Sequence, residues 1–452
     1  MTGVRTREAE YLAAHEAFEH NGASAGPTWL RERRRAAAAE FRRAGFPVAR
    51  RGNEAWKYTD VRPIATRALT LPAPHAGTVD ASPYDLPCPR VHQLVFVDGH
   101  YAPALSTEPP SEAGQKAEVL GRRGDGPVVG RLADAVEYRL PLAEEHLGTL
   151  ASPQSSAFTA LNTAFVHDGA YVAIPAGLAV AEPVYLLFIT TGAPAVTHPR
   201  VLLHAGRNAS ATVVVAHESL TPTGGGFTNA VAEVLLDAGA SLRMVSVQRE
   251  ARDGQHVEAA HARLESDARL AWASLDLGGG LVRRETSVSL AGPGASVDLA
   301  GLYIAGAGQH VDNHTFIDHA VPDTASDELF KGILDGDAHG VFAGQVLVRQ
   351  DAQRTDARQM NKNLLLAPGA QVDTQPMLEI FADDVRCTHG AAVGQLDQGA
   401  LFYLKSRGLG DAAARRLLTH GFVTEVLTRI TDDAVRQYAD AAVLAHLDAA
   451  TI

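Results

Sequence analysis

Cysteine is nearly absent: the 452-residue chain has two, Cys88 and Cys387, too few for a disulfide framework, so both are expected to be reduced. Lysine is scarce as well. The five lysines are residues 57, 116, 331, 362 and 405, and none follows a glycine. That excludes a Walker-type phosphate loop, so the chain alone is not expected to hydrolyse ATP. Basic residues are outnumbered, Lys+Arg 40 against Asp+Glu 52 for a net charge of −12. This argues against a nucleic-acid binder working by phosphate neutralisation and against a polybasic membrane anchor. Neither an apolar signal segment nor the roughly 20-residue apolar run of a spanning helix is found, so a soluble cytoplasmic chain is expected.

A large core is available, since 46% of residues are hydrophobic and only 20% charged. Residues 1–150 read as an N-terminal helical and mixed region. The run Trp29 to Phe41 is rich in helix formers, with Thr28 as a cap and Gly45-Phe46-Pro47 as a stop. Its arginines, Arg31 to Arg35, read as a solvated face. Leu94-Val-Phe-Val97 before Asp98-Gly99 reads as a buried strand.

From 151 to 398, short apolar segments alternate with turns and no helical period intervenes. Val213 to Val215, Val234 to Leu236, Leu242 to Val247 and Ser287 to Leu290 are examples. A turn dipeptide recurs before such strands: Asn208-Ala209, Gly239-Ala240, Asp267-Ala268, Gly294-Ala295, Asp337-Ala338 and Gly369-Ala370. Regular spacing of this kind predicts stacked coils, a mainly β fold built on a parallel β-helix; a β-sandwich is the competing architecture. Residues 399–452 return to helix, with Asp411 as cap and Gly421 as stop of one helix, and Asp432 or Asp433 capping another. This tail reads as a separate unit that could cover the open end of the coils or face a partner, and whose loss should cost little core burial.

Several motifs carry no chemistry on inspection. His15 and His20 are five apart and diverge on a helix, so they cannot grip one metal. Gly22-Ala-Ser-Ala-Gly26 matches a nucleophile elbow in letters but lacks the preceding strand. His310, His314, His319 and His339, with Asp312 and Asp318, form a loose group spread over several coils, better read as hydrogen-bonded histidines than as a metal site. In Pro376 to Ala391, Asp383-Asp384 supplies a turn between two strands. Beyond it Cys387 and His389, two apart, project from one strand face. Two ligands cannot close a zinc or cluster site. The residues therefore leave two readings: a free cysteine beside a hydrogen-bonding histidine, or half of a site completed by a partner or substrate.

Three blocks together resemble one family. Asn53-Glu-Ala-Trp-Lys-Tyr-Thr-Asp60, Ala382-Asp-Asp-Val-Arg-Cys-Thr-His-Gly-Ala391 and Leu401-Phe-Tyr-Leu-Lys-Ser-Arg-Gly-Leu409 are similar to signatures of the SufB/SufD family of the SUF iron–sulfur cluster assembly system. The first block and the cysteine shortage favour the SufD branch. The resemblance implies a right-handed parallel β-helix with flanking helical regions. It also implies a non-catalytic scaffold subunit that pairs with a SufB-like paralogue, or with itself as a homodimer in isolation, and docks a SufC-like ATPase. On the same ground His389, with Cys387 beside it, contributes to a nascent cluster at the subunit interface. His389 is then a metal ligand shared with the partner, the iron–sulfur cluster is bound only transiently in the complex, and no cofactor is held in isolation. Tyr403, Arg407, Gly408 and Leu409 fall in the ATPase-docking region. The Trp56-Lys57-Tyr58 block reads as an anchor of the N-terminal region on the core. The alternative function is a polysaccharide lyase or hydrolase using Asp351, Asp356, Asp383 or Asp384.

Overall fold

The computed structural model describes residues 7–20, 26–107, 126–192 and 195–449; most of the Gly22–Gly26 match lies outside them. Two long sheets face each other. The first runs through Val184–Thr190, Ser210–Ser219, Ser241–Arg249, Arg269–Asp276, Ser296–Ala305, Ala325–Leu334, Thr355–Leu365 and Val385–Gly394. The second runs through Ala170–Ile174, Arg200–Ala205, Phe227–Leu236, Gln255–Leu264, Leu281–Leu290, His310–His319, His339–Val348 and Gln371–Ile380. Each strand pairs in parallel with the strand one coil later, as in Met244↔Trp272 and Ala260↔Thr286. The result is a parallel β-solenoid of about eight turns, not a sandwich. The sheets also reach back into the N-terminal region, where His92–Val97 pairs in parallel with Val184–Thr190.

Strands buried on both faces explain the near-continuous apolar runs. Val213 and Val215 point into the solenoid while Val214 and Ala216 point outward, and all four are buried. The recurring turn dipeptide has a structural cause at its first four sites. Asn208, Gly239, Asp267 and Gly294 adopt positive φ, which Gly, Asn and Asp tolerate best. The alanine that follows tucks into the interior, and Ala209, Ala240, Ala268 and Ala295 are all buried.

The outer faces are covered by the chain's two ends. Tyr11, Phe41, Phe46, Trp56 and Phe158 pack on Phe227, Val257 and Leu281 of the second sheet. In the helix Thr28–Ala44, Thr28 is already helical and Pro27 is the cap residue, with no side-chain bond, which corrects the expected cap. Gly45 ends the helix as expected, at φ 62° with its N–H on the Phe41 carbonyl. The arginine run is only partly a solvated face. Arg34 is buried with Nε donating to the Val166 carbonyl at 2.7 Å, and Arg33 donates to the Leu147 carbonyl at 2.6 Å.

At the other end, Asp432 caps the last helix, accepting from the Val435 N–H at 3.1 Å. Gly421 does not stop its helix, which runs Asp411–Leu427, because packing on the sheet outweighs the roughly 1 kcal/mol cost of one interior glycine. Asp411 is the first helical residue and Gly410 precedes it as cap. These helices lie along the outer face of the first sheet, with Val423, Val426, Leu427, Val435, Val443 and Leu447 in one layer with Val247, Leu275, Leu302 and Ile333. The open end stays uncovered by them, and the expected low cost of losing the tail does not hold. Among the described residues no helix is long and apolar enough to cross a membrane.

Candidate functional site

Gln371–Ile380 and Val385–Gly394 form the final coil, joined by a turn at Asp383 and Asp384 as expected. Each is the last strand of its sheet, so each has a ten-residue edge that no strand of the described residues pairs. Period-two alternation sets what each side chain does. Leu378 and Cys387 point inward and pack against the end of the core. Cys387 lies in register with Ala357, and His389 with Gln359. His389 thus shares the inward face with Cys387, but no further coil covers it; it is exposed and makes no hydrogen bond or ion pair among the described residues. Desolvation raises the Cys387 thiol above its ordinary pKa, which keeps it protonated.

Beneath His389 the interior is polar. Leu299, Glu328, Gln359 and His389 form one register column across four coils. Gln359 Nε2 donates to Glu328 Oε2 at 2.6 Å. Glu328 is buried with no arginine or lysine paired to it among the described residues, and burial pushes its carboxyl up to about 7. A folded pKa above the unfolded value means that the proton stabilises the fold at low pH, and that this stability is lost as pH rises through 7. Glu328→Gln should therefore stabilise the chain increasingly over wild type, by about 2 kcal/mol more at pH 8 than at pH 5. Paired denaturant titrations at the two pH values measure this; an equal effect at both would mean that Glu328 stays ionised.

The rim of this end is apolar. Met360, Met377, Ile380, Phe381 and Val393 are all exposed, Phe381 by 63%. Alternation assigns such residues, Ile380 among them, a strand face but cannot tell that a coil is the last one.

The second exposed surface lies on the helix Gln398–Ser406, capped by Asp397, which accepts from the Gly399 N–H at 2.7 Å. Tyr403 is exposed, with the Arg407 guanidinium 5.2 Å from its ring centroid. Gly408 turns the chain at φ 94°, and Leu409 packs back onto the apolar layer under the helices. Phe402, next to Tyr403 in the helix, is 75% exposed, and Leu417, in the helix Asp411–Leu427 that packs on this one, is 50% exposed. The signal was present for Phe402: a surface helix with one buried stripe leaves part of the run Leu401-Phe402-Tyr403 outside it, and only Leu401 is buried.

The other motifs are structural. Trp56 is buried under the Arg283 guanidinium, 3.7 Å from its ring centroid, and Thr59 bonds both Asp312 and His310, so the block anchors the N-terminal region on the second sheet. His314 pairs with Asp312 at 2.9 Å, His339 with Asp373 at 2.8 Å, and His319 bonds Thr324 and Ser326. The histidine group is hydrogen-bonded, as expected. Asp356 pairs loosely with Arg358 at 3.5 Å, and Asp351, Asp383 and Asp384 sit in turns.

Comparison with known proteins bears on the whole chain. Residues 188–422 match the family model described as SUF system FeS cluster assembly, SufBD core domain, and residues 5–186 match the SufBD protein N-terminal region. The chain is 29% identical to the iron–sulfur cluster assembly protein SufD of Escherichia coli over 97% of its own length and 96% of that protein. It is 34% identical to an iron–sulfur cluster assembly SufBD family protein of Mycobacterium leprae, covering 74% of this chain and 80% of the relative. Similarity to SufB of Bacillus subtilis is lower, 25% over 64% of this chain and 62% of that protein.

Proposed function

From a chain that belongs to the SufBD family of iron–sulfur cluster assembly proteins and is a SufD homologue, we propose a non-catalytic scaffold subunit of a cytoplasmic SUF complex. It pairs with a SufB-like paralogue through the open end of the solenoid. The observation that carries this reading is the final coil: two unpaired ten-residue edges, an apolar rim and an unpartnered imidazole in one place. Free parallel edges template strand addition, and the rim supplies the apolar area that an interface core needs. With a partner seated there, His389 becomes half-enclosed and supplies one neutral nitrogen to an assembling cluster, which is cargo and needs further ligands from the partner. Cys387 supports the site by packing. A second copy of this chain offers the same edges, so a homodimer is the expected state in isolation.

The surface of Phe402, Tyr403, Arg407 and Leu417 receives a SufC-like ATPase; Gly408 sets the turn behind it, and Leu409 fixes the helix from below. Aromatic and arginine side chains dominate interface energetics, so Phe402→Ala with Tyr403→Ala should weaken ATPase binding at least about tenfold without changing the melting temperature. Pull-down with the purified ATPase measures this, and undiminished binding would place the docking surface elsewhere. The pairing is tested by co-expressing both paralogues with Phe381→Asp and Val393→Asp in this chain. Loss of the heterocomplex is the expected result, and its survival would remove the open end as the interface.

A further inference from the structure

A second cluster of ligating side chains lies inside the solenoid, several coils before the open end. His217 comes from Ser210–Ser219 on one sheet, and His256 and Glu258 come from Gln255–Leu264 on the other. All three are buried, and one ligand atom from each lies within 4.8 Å of the others.

The arrangement around His256 has an orienting carboxylate on one side and an open nitrogen on the other. Nδ1 is 2.7 Å from Glu250 Oε2, and Glu250 is itself held by Thr228 and Gln248. Nε2 makes no hydrogen bond, and its nearest carboxylate oxygen, Glu258 Oε2, is 3.6 Å away, too far for one. A carboxylate on one imidazole nitrogen with the other left free is the outer-shell pattern of a metal-bound histidine. His217 is set by its neighbours, its ring stacked at 5.0 Å on Phe188 and edge-on to His256 at 4.9 Å.

Charge points the same way. Arg284 bonds both Glu258 and Asp276, so one arginine serves two of three buried carboxylates. Leaving the two histidines aside, Glu250, Glu258, Asp276 and Arg284 sum to a net charge of about −2 in a medium where uncompensated charge is costly. A divalent cation would offset that charge.

We propose that His217, His256 and Glu258 hold a divalent first-row transition metal, of which zinc is the probe, as a resident ion that ties the two sheets together across the interior. Two imidazoles and one carboxylate suit zinc or ferrous iron, with the fourth position left to water. The 4.8 Å spread has to contract on ligation, so ligation requires the His217 and Glu258 side chains to move. The ion is distinct from cluster cargo, since none of its ligands belongs to the final coil.

The test uses the full chain, unfolded in chelator, refolded with zinc or with cobalt, and desalted. About one zinc per chain is expected, together with a higher melting temperature than the chelated chain and the visible absorption of four-coordinate cobalt. His217→Gln should lower the retained metal at least tenfold with an unchanged circular dichroism spectrum, whereas His389→Ala should retain it in full. A wild-type chain that refolds metal-free, with no cobalt absorption, would overturn the assignment, as would full retention by His217→Gln. If His217→Gln does not fold, the wild-type stoichiometry and cobalt spectrum decide alone.

Discussion

A complex carrying His389→Ala should assemble with normal stoichiometry and melting behaviour yet accumulate at least about tenfold less iron and sulfide than wild type. The two halves of that expectation have separate physical grounds. His389 is exposed on the last coil and bonds to nothing among the described residues, so truncating it removes no packing and costs no more than about 0.5 kcal/mol. On the proposed assignment its nitrogen is the ligand this chain supplies to the cluster, while partial burial favours the protonated form of the neighbouring thiol. Cys387→Ala should therefore lower cluster content less than His389→Ala does. Co-purified complex, assayed for iron and acid-labile sulfide after expression with the whole operon, gives the measurement. Normal cluster content would sink the ligand assignment, and failure of the mutant to assemble would return His389 to a structural role.

What could be read from the residues, and what could not, follows from the range of the interactions. The solenoid was legible because its signal is local and repeated. Positive-φ turns at Asn208, Gly239, Asp267 and Gly294 each precede a buried alanine, and a strand follows at regular spacing. Cys387 and His389 could be placed on one face because strand period two needs no tertiary information. The polar interior was not legible. His217 and Glu258 meet across the solenoid from strands in different sheets, 41 positions apart in the sequence, where nothing local links them. The arginine run misled for the same reason. Whether Arg34 is solvated depends on the Val166 carbonyl it reaches, 132 positions away.

The C-terminal helices show the same limit with the largest energetic consequence. A helical tail after the last repeat looks detachable, yet here it doubles back along the first sheet. Val423, Val426, Leu427, Ile430, Val435, Val443 and Leu447 are buried in one layer with Val245, Val247, Leu275, Leu302 and Ile333. Tyr438 joins them, its hydroxyl 3.2 Å from that of Tyr185, and Lys331 donates to the Phe422 carbonyl at 2.8 Å. A fully buried Val, Leu or Ile is worth roughly 1.5–3 kcal/mol, so these seven residues of the tail alone account for on the order of 10 kcal/mol, comparable with the whole stability of a typical domain. Removing residues 399–452 should accordingly expose the sheet face and give a chain that binds ANS, melts at least about 10 °C lower or precipitates. It would lose the ATPase for that reason and not only because a docking helix is gone. Phe402→Ala with Tyr403→Ala separates the two effects, since both side chains are exposed and carry no share of the layer. A truncated chain that stays monodisperse with an unchanged melting temperature would show that the helices are a detachable module after all.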